Sequence, residues 1–378
     1  MFVDLYALQA VPPSNINRDD TGSPKTAYYG GTLRSRVSSQ AWKKAMRKEF
    51  RDTLPADKVG YRTKMAVSLI QQAINGARPD LAERSEELAT AVLEVSGLKV
   101  EASTRAGVQS GAPETQYLIF VGANEVDGLA QVAINWADQE QDLKKPSAAM
   151  KKEVLAVFHG VKALDIALFG RMLADIPQLN EDASAQVAHA ISVDKVAQEY
   201  DYFTAVDECA PDDNAGAAMI DTVGFNSSTL YRYATVNIDS LVKQLGDPEA
   251  AAQGVVAFAE AFIRSMPTGK QNSFANRTLP STVVIALRDR QPINVVDAFQ
   301  DAIRPEAGES VARKAAQALG SKLADVEQAY DAKPVKAWNI VTDKPVEELD
   351  AVSEHVDLAR ATTELGEAVL ASLGKGQE

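Results

Sequence analysis

Lys43, Arg47 and Arg51 recur every four residues in segment 39–51, with Lys44 and Lys48 beside them. At helical spacing such a row is a strip of positive charge, long enough for a chain of phosphates rather than a single one. Trp42, Ala45, Met46 and Phe50 fall at i, i+3, i+4 and i+8 and supply the apolar stripe of the same helix. Ser38 or Ser39 stands where an N-cap belongs, since a hydroxyl there accepts from an orphan backbone N–H. The remaining N–H groups and the positive end of the dipole favour an anion at that terminus. Upstream, Arg34 and Arg36 alternate with Leu33, Ser35 and Val37 in strand fashion, after the turn-forming Tyr28-Tyr29-Gly30-Gly31. Residues 18–64 hold twelve cationic and five acidic side chains, a local charge of +7, while the whole chain of 378 residues carries −13. A basic island in an acidic protein is a directed anion site; the plainer alternative is a solvated helix face with ordinary salt bridges.

Other chemistry is sparse. Thr268-Gly269-Lys270 resembles the end of a phosphate-binding loop, but the first glycine would have to be Arg264 and the hydroxyl position is Gln271, leaving Lys270 as at most one more phosphate contact. Asp19 and Asp20 suit either a metal for phosphodiester cleavage or, more simply, the capping of their own loop. Asp212 and Asp213 read as solvated acids. The single Cys209 excludes an intramolecular disulfide and a cysteine-rich metal centre. His159, His189 and His355 lie too far apart for a helical zinc motif. His189 is expected to be a buried, hydrogen-bonded strand residue. Tyr231 and Tyr233 share a strand face, with Arg232 opposite, and suit base stacking or core packing. Met172 and Phe203, taken alone, read as core residues. Residues 1–5 lack the basic start of a signal peptide, and no apolar run reaches the roughly 18 residues a membrane span needs. The expectation is a soluble, cytoplasmic protein without cofactor or metal.

These residues need elements to hold them. Residues 2–11 read as a strand ended by Pro12-Pro13, and 14–32 as a polar loop. Helical periodicity covers 62–76, 80–96, 125–138 and 147–158, with a short apolar run at 117–121. Segment 163–169 reads as a buried strand, and 185–193 as another with Val187, His189 and Ile191 on one face. Residues 194–228 read as a long acidic loop, of a length that is usually functional or disordered. A strand at 231–238, a helix at 248–264 opened by Asp247-Pro248, and a strand at 282–287 follow. The tail from 289 onward, with a net charge of −7, holds two or three helices. The reduced order βαββαβ is that of a ferredoxin-like or RNA-recognition-motif fold with large insertions, whose sheet commonly faces single-stranded RNA.

Strings in one order from 16 to 271 resemble the CasC family, the backbone subunit of type I-E CRISPR Cascade surveillance complexes. They are Ile16-Asn17-Arg18-Asp19-Asp20, Tyr29-Gly30-Gly31, Arg36-Val37-Ser38-Ser39-Gln40 and Lys43-Lys44-Ala45-Met46-Arg47-Lys48. They continue through Asp165-Ile166-Ala167-Leu168-Phe169-Gly170-Arg171-Met172, Ala188-His189-Ala190-Ile191, Phe203-Thr204-Ala205-Val206-Asp207, Tyr231-Arg232-Tyr233-Ala234 and Gly269-Lys270-Gln271. The resemblance implies an α+β fold. Its modified ferredoxin-like, RNA-recognition-motif palm would be built from 1–61, 161–193 and 229–290. To these it adds a helical fingers insertion (62–160), a long thumb loop (194–228) and an acidic helical C-terminal region (291–378).

It further implies a non-catalytic, RNA-binding subunit that oligomerises along a CRISPR RNA and presents it, kinked at regular intervals, to target DNA. The partners implied are that RNA, target DNA through guide pairing, neighbouring copies, and the large, small and guide-end Cascade subunits, with no membrane. Arg18, Lys25, Arg34, Arg36, Lys43, Lys44, Arg47 and Lys270 would neutralise phosphates, and Ser38 and Gln40 would hydrogen-bond backbone oxygens. Arg171 is implied as a further RNA contact, and Met172 and Phe203 would flank the kink. The alternative reading is a metal-dependent RNA endonuclease using Asp19 and Asp20; a third is a protein scaffold whose basic island meets an acidic partner.

Overall fold

The structure, a computed structural model, describes residues 1–107, 110–206 and 217–374. Cys209, Asp207, Asp212 and Asp213 lie outside the described residues. Two compact units divide the chain: Met1–Glu49 with Gln186–Ile238 and Ala252–Glu378, and Phe50–Ala185 with Asp239–Ala251.

The first unit is organised by β1 (Phe2–Ser14). β2 (Thr26–Tyr29) and β3 (Thr32–Val37) form a hairpin that leads into α1 (Ser39–Thr53). β1 lies between the long β11 (Ala217–Asn237) and β12 (Thr282–Arg288), antiparallel to both. β9 (Ala190–Ser192) joins β11 to β3, and β13 (Lys336–Val341) and β14 (Glu354–His355) extend the opposite edge, β14 running parallel to its neighbour. The result is a large mixed sheet.

Period-two alternation explains its two faces. Tyr6, Leu8, Tyr231, Tyr233, Val284 and Ala286 form one core with Ala315, Ala316, Leu319 and Leu323 of α10 (Val311–Tyr330). Val11, Val37 and Leu230 point the other way and meet Trp42 of α1. Tyr231 and Tyr233 are therefore core residues, not a stacking platform. β10 (Glu199–Val206) pairs with the first half of β11, so part of the expected 194–228 loop is an antiparallel ribbon. β1 continues through Pro12-Pro13 with a register shift between Val11 and Ser14, because the exposed bulge spares the ladder the missing N–H donors.

The second unit is mostly helical. It contains β4 (Gly60–Thr63), α2 (Ala66–Ala77), α3 (Ser85–Val95), β5 (Val100–Ala102), β6 (Pro113–Thr115) and β7 (Ile119–Gly122). α4 (Ala123–Asp138) and α5 (Ala148–Phe158) complete a core in which Ile70, Ile74, Leu88, Val92, Leu129, Trp136, Val154 and Phe158 are buried together. Segment 163–169, expected as a strand, is α6 (Leu164–Phe169). Its Asp165 is buried and accepts the Gly60 N–H at 2.8 Å, a contact that one helical turn of this short apolar run provides. Residues 161–185, expected with the palm, belong to this unit.

Segment 185–193 is also not one strand. β8 (Ala185–Val187) and β9 are separated at Ala188-His189. α7 (Ile238–Leu245) and α8 (Pro248–Arg264) follow β11, and Asp247 caps α8 by accepting from the amides of Glu249 and Ala250. α9 (Gln271–Phe274), α11 (Glu347–Asp350) and α12 (Leu358–Gly374) complete the elements. No helix among the described residues is long and apolar enough to cross a membrane.

Candidate nucleic-acid interface

Asn17 is the hub of the basic face in the first unit. Its Oδ1 accepts the Ser38 N–H at 2.8 Å, and its backbone carbonyl accepts the Lys25 N–H at 2.9 Å. One residue thus ties the 15–25 loop to both the start of the β2–β3 hairpin and the N-terminus of α1. Ser38 caps α1: its hydroxyl accepts from the Ala41 amide at 3.3 Å and its carbonyl from Ala41 and Trp42. The next first-turn amides have no intrahelical acceptor, and exposed Gln40 and Lys44 stand beside them. Gly269 explains how Lys270 reaches the same place. A Cβ at Gly269 would lie 2.4 Å from the Ile16 carbonyl oxygen, so only glycine lets this backbone approach the loop. Lys270 itself holds φ +50°, a left-handed conformation uncommon for a side-chain-bearing residue.

Asn17 bonds to Lys25 and Ser38, Lys25 in turn to Arg36, and Gly269-Lys270 packs on the same loop beside Arg18, while Gln40 and Lys44 follow on the first turns of α1. None of Arg18, Lys25, Arg36, Lys44 or Lys270 makes an ion pair with a carboxylate among the described residues. Some cations elsewhere are paired, as Arg78 is with Asp80 and Asp138, or Arg360 with Glu364. Lys43 and Arg47 are half-buried on α1, and burial pulls the Lys43 ammonium below its ordinary range.

Two expected RNA ligands are corrected. Arg34 is 0% exposed, and its guanidinium donates to the carbonyls of Ser192, Val193, Phe299 and Gln300 and to Thr32 Oγ1. Every arm is spent inside the fold, so it fixes the hairpin rather than meeting a ligand. Gly30 serves the same junction: at φ +57°, a Cβ there would overlap the Gln300 carbonyl oxygen. Arg171, in the second unit, is 2% exposed; it pairs with Glu125 at 2.7 Å and donates to the carbonyls of Leu179 and Phe120. Its role is to hold the unit together. The adjacent Met172 is 84% exposed, and Phe203 lies half-buried on β10 opposite Asp221.

His189 differs from the expectation of a buried histidine. It is exposed, and its Nδ1 lies 3.1 Å from Arg36 Nη1. Asp19 caps its own loop: Oδ1 accepts from the Thr21 amide and hydroxyl and the Ser23 amide, and these bonds lower its pKa, the Thr21 hydroxyl foremost. No group of three or more residues suited to a metal ion occurs among the described residues.

Asn17 and His189 were missed as site residues by sequence reasoning. Asn17 lay within a quoted string, yet its role depends on a contact 21 positions away. Arg232, set opposite the tyrosines, is buried between the rings of Trp42 and Phe262 at 3.7 and 4.5 Å and donates to Gln9 Oε1 at 2.7 Å. Burial pulls its pKa down to about 9. It anchors α1 to the sheet from beneath.

Residues 3–367 match the family described as CT1975-like protein. Among solved structures, the chain is similar to one titled "CRISPR RNA-guided surveillance complex, pre-nicking", at 32% identity and a TM-score of 0.81, covering 98% of this chain and 100% of that one. A second, titled "CRISPR RNA-guided surveillance complex", is 28% identical with a TM-score of 0.70 and the same coverage. No curated protein matches the chain.

Proposed function

The chain belongs to the CT1975-like family, the CasC family of type I-E CRISPR systems, and from that premise we propose that it is a backbone subunit that holds guide RNA. It is a subunit of a cytoplasmic RNA-guided surveillance complex, in which several copies line a CRISPR RNA beside the large, small and guide-end subunits. The work it does is non-catalytic: it binds phosphates and leaves base edges free to pair with target DNA. Contacts to phosphate and sugar carry no sequence information, as a carrier of arbitrary guides requires.

The observation that carries this reading is the set Arg18, Lys25, Arg36, Lys44 and Lys270, five cations lacking ion-pair partners among the described residues around one helix N-terminus. In a protein of net charge −13 the placement is selective, and the acidic remainder discourages indiscriminate coating of RNA. Lys43 and Arg47 extend the path along α1. Met172, large, apolar and exposed, fits a wedge beside a displaced base, and Phe203 on the ribbon suits a separate contact of the same kind. A guide carrying 2-aminopurine at the displaced position tests that assignment: Met172→Ala should quench its fluorescence, and unchanged emission would remove Met172 from the kink.

Binding of single-stranded RNA, measured by fluorescence anisotropy against salt, tests the phosphate path. Five neutralised phosphates give a slope of log affinity against log salt of about −3.5. Lys44→Glu combined with Lys270→Glu should flatten it; a slope near zero in the unaltered protein opposes the reading.

A further inference from the structure

His189 is an exposed titratable group on this face that the phosphate path does not use. It directly precedes β9, which pairs with β3 through Arg36↔Ile191 and Val37↔Ala190. Arg36 is held in two ways, by its backbone N–H on the Lys25 carbonyl at 2.9 Å and by Nε on the Thr26 carbonyl at 3.3 Å. Its Nη1 meets His189 Nδ1 at 3.1 Å. A guanidinium only donates, so Nδ1 must be the acceptor and the ring's proton sits on Nε2. The free protein therefore holds a neutral imidazole against a cation. Arg36 from β3 and Lys25 from the approach to β2 are the charged groups facing the ring, and no carboxylate forms an ion pair with it among the described residues.

We propose that His189 is an additional RNA ligand that binds in its protonated form, taking up a proton as a phosphate oxygen arrives between its Nδ1 and Arg36. The proton comes from the buffer and goes to Nδ1; Arg36 Nη1 and His189 Nδ1, now both donors, converge on the phosphate. The inference rests on the RNA-binding reading above and adds a proton to it.

In the free protein, burial first, then Arg36 and Lys25, lower the His189 pKa. A bound phosphate reverses the sign of the local field and raises it. Because the bound form has the higher pKa, affinity is lowest at alkaline pH, rises as pH falls through the bound value, and levels off below the free value. Each unit of difference between the two values is worth about tenfold in affinity per subunit.

The experiment is anisotropy of a fluorescein-labelled single-stranded oligouridylate with the full chain between about pH 5 and 8, for the unaltered protein and His189→Gln. The chain's three histidines are followed in parallel by NMR, with and without RNA. The expected result is a steeper gain in affinity at low pH for the unaltered protein, by roughly tenfold, with the His189 resonance alone titrating at higher pH when RNA is present. Parallel pH profiles, or a His189 pKa unmoved by RNA, would overturn the role of His189 and leave the RNA-binding reading intact. Failure of both proteins to bind RNA at any pH would overturn the two together.

Discussion

Asn17 Oδ1 accepts the Ser38 backbone N–H at 2.8 Å, a single bond that fixes the basic loop against the N-terminus of the basic helix. Residues 21 positions apart are thereby set in one basic surface. Asn17→Ala leaves the Ser38 donor without its acceptor, which costs about 1 kcal/mol. Asn17→Asp keeps the acceptor and adds a negative charge near a helix N-terminus, which favours folding but repels phosphate. The two variants should separate the functions: the alanine protein melts earlier, whereas the aspartate protein melts no earlier and binds RNA more weakly. Thermal melts and anisotropy on the same samples check both, and equal RNA affinity in the aspartate variant would contradict the placement of phosphate here.

Gly269 provides a second handle on the same loop. An added Cβ falls 2.4 Å from the Ile16 carbonyl and 2.8 Å from that of Asn15, both backbone atoms with little room to yield. Gly269→Ala should cost about 1–3 kcal/mol and lower RNA affinity by shifting Asn17 and Lys270. Denaturant titration measures the first and anisotropy the second.

Arg171 behaves differently if its role is internal. It and Glu125 are both almost fully buried, so Arg171→Met strands a carboxylate and should cost about 3–5 kcal/mol. The double variant Arg171→Met with Glu125→Gln should recover part of that loss. An Arg171→Met protein that melts normally but loses RNA would instead make this arginine a ligand.

The C-terminal helix α12 carries a pH-dependent tie. Glu364 accepts from Lys336 at 2.5 Å, Trp338 at 2.9 Å and Arg360 at 2.6 Å, which pull its pKa to about 2. A depressed folded value means the stabilisation is fully present above the ordinary carboxylate pKa and is lost as pH falls towards 2. Glu364→Gln should therefore lower the melting temperature at neutral pH, with the gap to the unaltered protein closing in acid.

What was legible in the sequence follows from how local each feature is. α1, α4, α5 and α8 have complete periodic patterns, and the Asp247-Pro248 cap marks the start of α8. The basic face was legible because its cations cluster in sequence as well as in space. Segment 163–169 was not: seven residues rich in Leu, Ile and Ala suit a strand or a short helix, and the Asp165–Gly60 bond that favours the helix spans 105 positions. Arg34 and Arg36 look equivalent on a strand, yet four carbonyls brought by distant segments close over Arg34 alone. Among its described side chains the β10–β11 ribbon exposes Tyr200, Tyr202 and Ile220, so no hydrophobic period betrayed it. β13, which buries Trp338 and Asn339, was hidden between two helices in an acidic tail.

The central claim is that copies of this chain line up along RNA. Native mass spectrometry of the purified chain on single-stranded RNAs of increasing length measures this directly. The account predicts one further subunit for each fixed increment of RNA, filling cooperatively, with the increments lost in Lys44→Glu combined with Lys270→Glu. A single bound subunit at every length, or none even when a CRISPR RNA and the guide-end subunits are co-expressed, would contradict it.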